Sequence, residues 1–197
     1  MVTAIIVLLA SITFGVYSGV KNAQSRAKAK AELALLSQAL EQYKARFGDY
    51  PLIDSGSGGG DSNADAGSKS LIYALSGRLR LVEQNGTVRA EVIDDNLDNT
   101  EVERMPKFID LTKFSYQGPD NSPEALIDPW GNPYVYRYKV DSNPEVWDVF
   151  GFHLYSTGPN GEEAEAEISA VIDPSTGVLE NDFRDTADAA GIIFAAE

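Results

Sequence analysis

The sequence predicts an α+β fold in which one long N-terminal helix, membrane-spanning in its first half, packs on a small antiparallel β-sheet. Three observations predict it: a charge-free apolar opening, an amphipathic stripe that continues it without a break, and short strand-like patterns in the second half of the chain.

The opening segment, residues 1–20 (MVTAIIVLLASITFGVYSGV), carries no charged side chain; all thirty acids and all sixteen basic residues follow it. As a helix it rises about 30 Å, the thickness of a bilayer's hydrocarbon core. A cleavable signal peptide needs a basic region before the apolar stretch and a small-residue cleavage site after it. Neither is evident, so the segment reads as a retained membrane span. A buried helix of a soluble core seldom lacks charge over such a length.

Residues 21–50 form the amphipathic half of the same helix. Leu33, Leu36, Leu40, Tyr43 and Phe47 recur at spacings of 3, 4, 3 and 4, which places them on one helical face. The Ala, Lys, Glu and Gln between them are strong helix formers. Gly48 and Pro51 supply the stop. The whole helix is on the order of 70 Å long. A two-heptad coiled coil is the other reading of the stripe.

Residues 51–197 read as a globular domain. Residues 54–69 (DSGSGGGDSNADAGSK) predict a flexible loop, followed by a short helix over 70–76 with Leu71, Ile72 and Leu75. Asn85-Gly86 is a hairpin-turn signal. Residues 91–105 are acidic and irregular, and strands are predicted over 108–114, 134–140 and 149–155, with alternation clearest in YVYRYKV. The last forty residues are acidic and rich in turn formers, and there is no internal repeat.

The formal net charge of −14 is unlike that of nucleic-acid binders, which are usually basic, so no nucleic-acid partner is expected. With no cysteine, a disulfide scaffold, thiol catalysis and a cysteine-ligated metal are excluded. Orientation is contested by two signals. Lys21, Arg26, Lys28 and Lys30 beside the apolar segment point that flank to the cytoplasm, whereas the acidic remainder suits a solvent-facing exported domain.

Reactive groups are sparse. The single histidine, His153, falls inside a predicted strand and reads as a partly exposed strand residue. No nucleophile elbow, phosphate loop, dinucleotide fingerprint or His-rich metal motif is present. Acid pairs such as Glu162/Glu163 read as a solvated face. The chain is therefore not expected to be an enzyme.

Two segments stand out. Asp128-Pro129-Trp130-Gly131-Asn132-Pro133-Tyr134 precedes the best strand. Proline fixes the backbone, glycine permits an unusual turn, tryptophan buries a large surface, and Asp128 can accept backbone hydrogen bonds that close the turn. This composition makes a rigid corner with Asp128, Pro129, Trp130, Gly131 and Tyr134 as its structural motif. The second segment, Tyr155-Ser156-Thr157-Gly158-Pro159-Asn160-Gly161, is a strand end running into an oxygen-rich turn.

A continuous apolar-to-amphipathic helix, then QYKARFGDYP, DPWGNPY and YSTGPNG in that order, resembles the type II secretion pseudopilins, the G-type major pseudopilin above all, and their type IV pilin relatives. The resemblance spans most of the chain at low density, with DPWGNPY its most specific piece. Residues 56–120 and the acidic C-terminal part look enlarged relative to that family.

The resemblance implies a structural subunit anchored in the inner membrane by one span, with its domain in the periplasm, or carried outward in an extracellular filament. Its partners would be copies of itself packed through their N-terminal helices, other pseudopilins and an inner-membrane assembly platform. A prepilin peptidase would remove a short leader and methylate the new N-terminus. The family's leader glycine, the aromatic residue after it and a glutamate four residues further on are absent; residues 2–6 look like the stretch just beyond that glutamate. Either the true N-terminus lies upstream of Met1, or the chain matures by another route. The family's major pseudopilin also binds calcium after its Tyr-Ser turn. Matching by motif puts Ser156 and Asn160 on that turn, with Asp185 and Asp188 as candidate carboxylates. The alternative to a filament subunit is a signal-anchored extracytoplasmic binding module that works as a monomer; an anchored hydrolase is disfavoured by the missing motifs.

Overall fold

The computed structural model describes residues 2–53, 63–84, 87–92, 106–119, 123–140, 143–173, 175–180, 186–187 and 190–195, and side chains for those outside 2–19, 63–65, 79–84 and 87–92. Helix α1 is Val2–Phe47, a single run of 46 residues. Helix α2 is Asn63–Ser76. Strands β1 (Leu79–Gln84) and β2 (Thr87–Val92) follow, then β3 (Ser115–Gln117), β4 (Ala125–Ile127), β5 (Val135–Arg137) and β6 (His153–Ser156). Helix α3 (Glu162–Val171) and strand β7 (Ile193–Phe194) complete the order. Among the described residues the strand pairs are antiparallel and form three small sheets: β1-β2, β3-β4 and β5-β6-β7. The architecture is α+β, as the sequence predicts.

The helical stripe packs as its spacing demands. Ala29, Leu33, Leu36, Ala39, Leu40 and Tyr43 are buried in one core with Leu71, Ile72 and Leu75 of α2 and with Leu126, Tyr134, Tyr136, Tyr138 and Leu154. Each fully buried leucine contributes about 2 kcal/mol, so the second half of α1 is integral to the domain. Its end is set by Gly48, whose φ is +93° and whose N–H donates to the Lys44 carbonyl at 2.7 Å. Phe47, 38% exposed, closes the stripe at the domain edge.

Strand β5 lies between two layers. Tyr136, with Tyr134 and Tyr138 on either side of the strand, faces the α1–α2 core, while Val135 packs with Tyr155, Ala164, Ile168, Val171 and Ile172 in a second core under α3. The alternation in YVYRYKV suggests one solvent face, yet Val135, Tyr136 and Arg137 are all buried. The cause is α3, in a region the sequence presents as acidic and turn-rich. Its acids Glu162, Glu163 and Glu167 are exposed, and Ala164, Ile168 and Val171 are buried at helical spacing.

Other expectations need correction. The predicted loop over 54–69 is helical from Asn63, so α2 begins seven residues before the predicted 70–76 helix; residues 54–62 lie outside the described set. Tertiary contact with β5 overrides the weak local signal: the Ser68 hydroxyl donates to the Tyr134 carbonyl at 2.7 Å. The predicted strand over 108–114 is instead a segment docked on the end of α2, where the Phe108 N–H donates to the Leu75 carbonyl, followed by a 3₁₀ turn over Leu111–Lys113. Asp110 caps that turn by accepting from the Thr112 N–H, and the strand starts only at Ser115. The predicted strand over 149–155 is shortened to His153–Ser156 because Trp147 Nε1 donates to the Gly151 carbonyl and Gly151 turns with φ +85°. The hairpin signalled at 85–86 is matched by pairing of Gln84 with Thr87; the two turn residues and the acidic stretch 93–105 lie outside the described set. Among the described residues no helix is long and apolar enough to cross a membrane, and the side chains of 2–19, on which the predicted span rests, lie outside that set.

Candidate functional site

The two motifs singled out in the sequence fold into one interlocked corner. β4 and β5 are joined by a turn in which the Asp128 N–H donates to the Asn132 carbonyl and the Gly131 N–H to the Asp128 carbonyl. Ile127 and Pro133 form the flanking bridge. Proline at the second position pre-sets the turn, and Gly131 takes φ +98°, which a side chain resists. Asp128, 3% exposed, closes it: one carboxylate oxygen accepts from the Trp130 and Asn132 N–H groups, both at 2.9 Å. The other oxygen accepts from the Ser156 hydroxyl at 2.6 Å.

Ser156 brings the second motif in. Its hydroxyl also accepts from the Gly158 N–H at 3.1 Å, and the Asn132 side-chain amide donates to the Gly158 carbonyl at 2.7 Å. Asn160 donates to the Ala190 carbonyl at 2.8 Å, tying the turn to the chain leading into β7. Gly158 has φ +65° and lies so close to Gly191 that a Cβ would stand 2.7 Å from its carbonyl oxygen.

The corner is also bolted to α1. The Tyr134 hydroxyl donates to Glu32 at 2.6 Å inside the core, and Lys28 lies 3.6 Å from the other oxygen of that carboxylate. Burial, followed by this hydrogen bond, raises the Tyr134 pKa far above its ordinary value, so the phenol stays a proton donor. Glu32 reads in the sequence only as the first acid after a basic run. Its one legible signal is its position at the margin of the apolar stripe.

A second latch holds the end of α1. Asp49 accepts from the Tyr138 hydroxyl, the Tyr50 N–H and the Lys139 ammonium, the last at 3.0 Å, while the Tyr50 hydroxyl donates to Glu41 at 2.6 Å. The Tyr136 hydroxyl donates to the Pro51 carbonyl at 2.8 Å. Burial raises the Asp49 pKa, but hydrogen bonds from Tyr138, Lys139 and the Tyr50 N–H outweigh it and leave it below the ordinary carboxylate value. Burial and the hydrogen bond to Asp49 push the Tyr138 phenol up to about 12. A depressed carboxylate contributes stability above its unfolded pKa, near 4, and loses it as pH falls through the folded value. Asp49→Asn should therefore lower the melting temperature modestly at neutral pH, with the gap closing in acid as pH falls through the lowered folded-state titration of Asp49. Asp49 is half exposed, so solvent screening keeps the effect small. Thermal melts of both proteins across pH check this; a gap that widens in acid contradicts it.

Behind β5, Arg137 lies in the second core. Its guanidinium donates to the Tyr155 hydroxyl at 3.0 Å, to Glu165 at 2.6 Å and to Ser169 at 2.7 Å. These groups lock α3 onto the sheet, a role not legible in the sequence. His153 sits at the start of β6 with Nε2 at 2.8 Å from the Gly177 carbonyl.

Chemically the corner is a scaffold. Ser156 has no exposed surface, and its hydroxyl points at a carboxylate already committed to two backbone donors. For calcium, the described residues do not make a site by themselves. Ser156 is engaged as stated, the Asn160 amide nitrogen is spent on Ala190, and among the described residues no three Asp, Glu, His or Cys side chains cluster at metal-binding distance. Asp185 and Asp188 lie outside the described residues. Phe150 is fully exposed, and Val146, Val178 and Leu179 are partly exposed, on two loops joined by the Asp148 N–H donating to the Thr176 carbonyl at 2.8 Å.

Comparisons with models of known families, with curated proteins and with solved structures found no match to this chain.

Proposed function

We propose that this chain is a membrane-anchored structural subunit, a pseudopilin-like building block of a helical filament in a type II secretion or type IV pilus-like system. Its pilin-like domain stands on the periplasmic side of the inner membrane, and its apolar N-terminal half is shared between lipid and packed copies of itself. The observation that carries this reading is the unbroken course of α1. The helix runs for 46 residues, and its second half is the spine of the core, held by the Glu32–Tyr134 and Asp49–Tyr138 latches. A rod fused rigidly to its domain fixes where each domain stands when rods pack together, which is what a filament subunit needs. A binding module on a tether needs no such rigidity. Leu35, half exposed beyond the buried stripe, offers a further apolar contact along the rod.

The alternative, an anchored monomeric binding module, draws on the fully exposed aromatic ring of Phe150. Ala27→Pro separates the two. Ala27 is exposed and precedes Ala29, the first buried residue among the described side chains of α1, so a proline there kinks the rod without touching that core. It costs about 3 kcal/mol of helix stability locally. The domain should melt as the wild type does while filaments vanish from electron micrographs of the envelope fraction. Filaments that persist with the kinked rod show that assembly does not depend on an unbroken α1 and remove the observation that carries this reading, and a chain that never assembles in either form favours the module.

A further inference from the structure

We propose that residues 21–30 of α1 form a cationic collar that binds anionic phospholipid headgroups on the face of the membrane from which the domain projects. The inference rests on reading residues 1–20 as the membrane anchor. Lys21, Arg26, Lys28 and Lys30 are exposed, no acid lies among them, and these ten residues hold four of the chain's sixteen cations and none of its thirty acids. Among the described residues only Lys28 meets a carboxylate, Glu32 at 3.6 Å, and Lys21, Arg26 and Lys30 have no ion-pair partner.

Their placement selects the ligand. At 100° per residue, Lys21 and Lys28 share one side of the helix and Arg26 and Lys30 the opposite side, flanking the buried face on both edges. A protein surface would engage one side of such a helix; a headgroup layer surrounds it. At 1.5 Å per residue the four cations lie from the edge of the apolar segment to about 15 Å beyond it. That interval covers the headgroup layer and roughly one further screening length, and the long side chains can reach back toward it. Among the described side chains of α1, which start at Val20, Ala29 is the first buried in the core, so most of the collar stands clear of it. An anionic surface repels the acidic remainder of the chain, and the collar offsets that repulsion where the helix leaves the bilayer.

The test uses the full chain reconstituted in phosphatidylcholine bilayers containing spin-labelled phosphatidylglycerol or, separately, spin-labelled phosphatidylcholine. The fraction of lipid immobilised at the protein should favour phosphatidylglycerol about threefold or more. The preference should fall toward unity in about 0.5 M salt. It should also fall in K21Q/R26Q/K30Q, which keeps helix propensity and spares the Lys28–Glu32 pair. An unchanged thermal melt shows that this variant is folded. Equal immobilisation of both lipids by inserted wild-type protein overturns the proposal. So does a variant that keeps the preference, or one whose only defect is weaker cross-linking between copies, which would assign the collar to a neighbour's acidic surface. Failure of the wild type to float with liposomes at all would remove the anchor reading and this inference with it.

Discussion

Gly67→Ala is expected to cost about 3 kcal/mol or more, the upper end for overpacking a closed core, and to lower the melting temperature by about 10 °C. Helix propensity alone predicts the opposite sign, since alanine in a helix interior is favoured over glycine by about 1 kcal/mol. Sterics decide it. A Cβ at residue 67 would lie 1.9 Å from the Tyr136 carbonyl oxygen and 3.0 Å from its carbon, so the clash is with backbone. Neither side can retreat. Tyr136 is paired with Leu154 in the central sheet, and Ser68, the next residue of α2, is hydrogen-bonded to the Tyr134 carbonyl. Gly48→Ala is the control. Its φ of +93° carries a penalty of about 1–2 kcal/mol, but nothing lies within 4 Å of the added carbon. The two variants should separate clearly in thermal melts. A neutral or stabilising Gly67→Ala would mean that α2 does not lie against β5 as described.

Asp128→Ala should be comparably damaging, at about 3 kcal/mol or more, because it leaves the Trp130 N–H, the Asn132 N–H and the Ser156 hydroxyl without their acceptor in a buried corner. Each orphaned donor costs about 1–3 kcal/mol, less whatever water can restore. Asp128→Asn is expected to cost only about 1 kcal/mol. Its side-chain oxygen can keep both backbone donors, and its amide can donate to Ser156 if that hydroxyl turns away. Ser156 already accepts from Gly158, so the rotated hydroxyl must find another acceptor, which is why the substitution is not free. Urea titrations give the comparison directly: the midpoint should fall far for alanine and little for asparagine, with an unchanged slope. Equal losses would show that the negative charge, rather than the hydrogen-bond geometry, holds the corner. Two unperturbed midpoints would show that the corner does not support the fold.

The sequence by itself determined what depends on local periodicity and local chemistry. The spacing of Leu33, Leu36, Leu40 and Tyr43 requires one helical face, and the structure buries that face. The Gly48 stop and the Asp128-Pro129-Trp130-Gly131 turn are likewise local, because glycine's backbone freedom, proline's fixed φ and a short carboxylate act within a few residues. Long-range pairing is a different matter. That Ser156 completes the Asp128 corner, that Tyr134 reaches Glu32, and that Arg137 meets Glu165 are contacts between residues 28, 102 and 28 positions apart. No pattern within a window of a dozen residues carries them. The same limit hid the first half of α2 and all of α3. Asn63-Ala64-Asp65-Ala66-Gly67 and Glu162-Glu163-Ala164-Glu165 read as loop and solvated acid, because their apolar content is too low to announce a buried face. Only the tertiary structure decided that they are helices, by setting each against a face of β5, where close backbone approach at Gly67 and burial of Ala164, Ile168 and Val171 outweigh weak local preference.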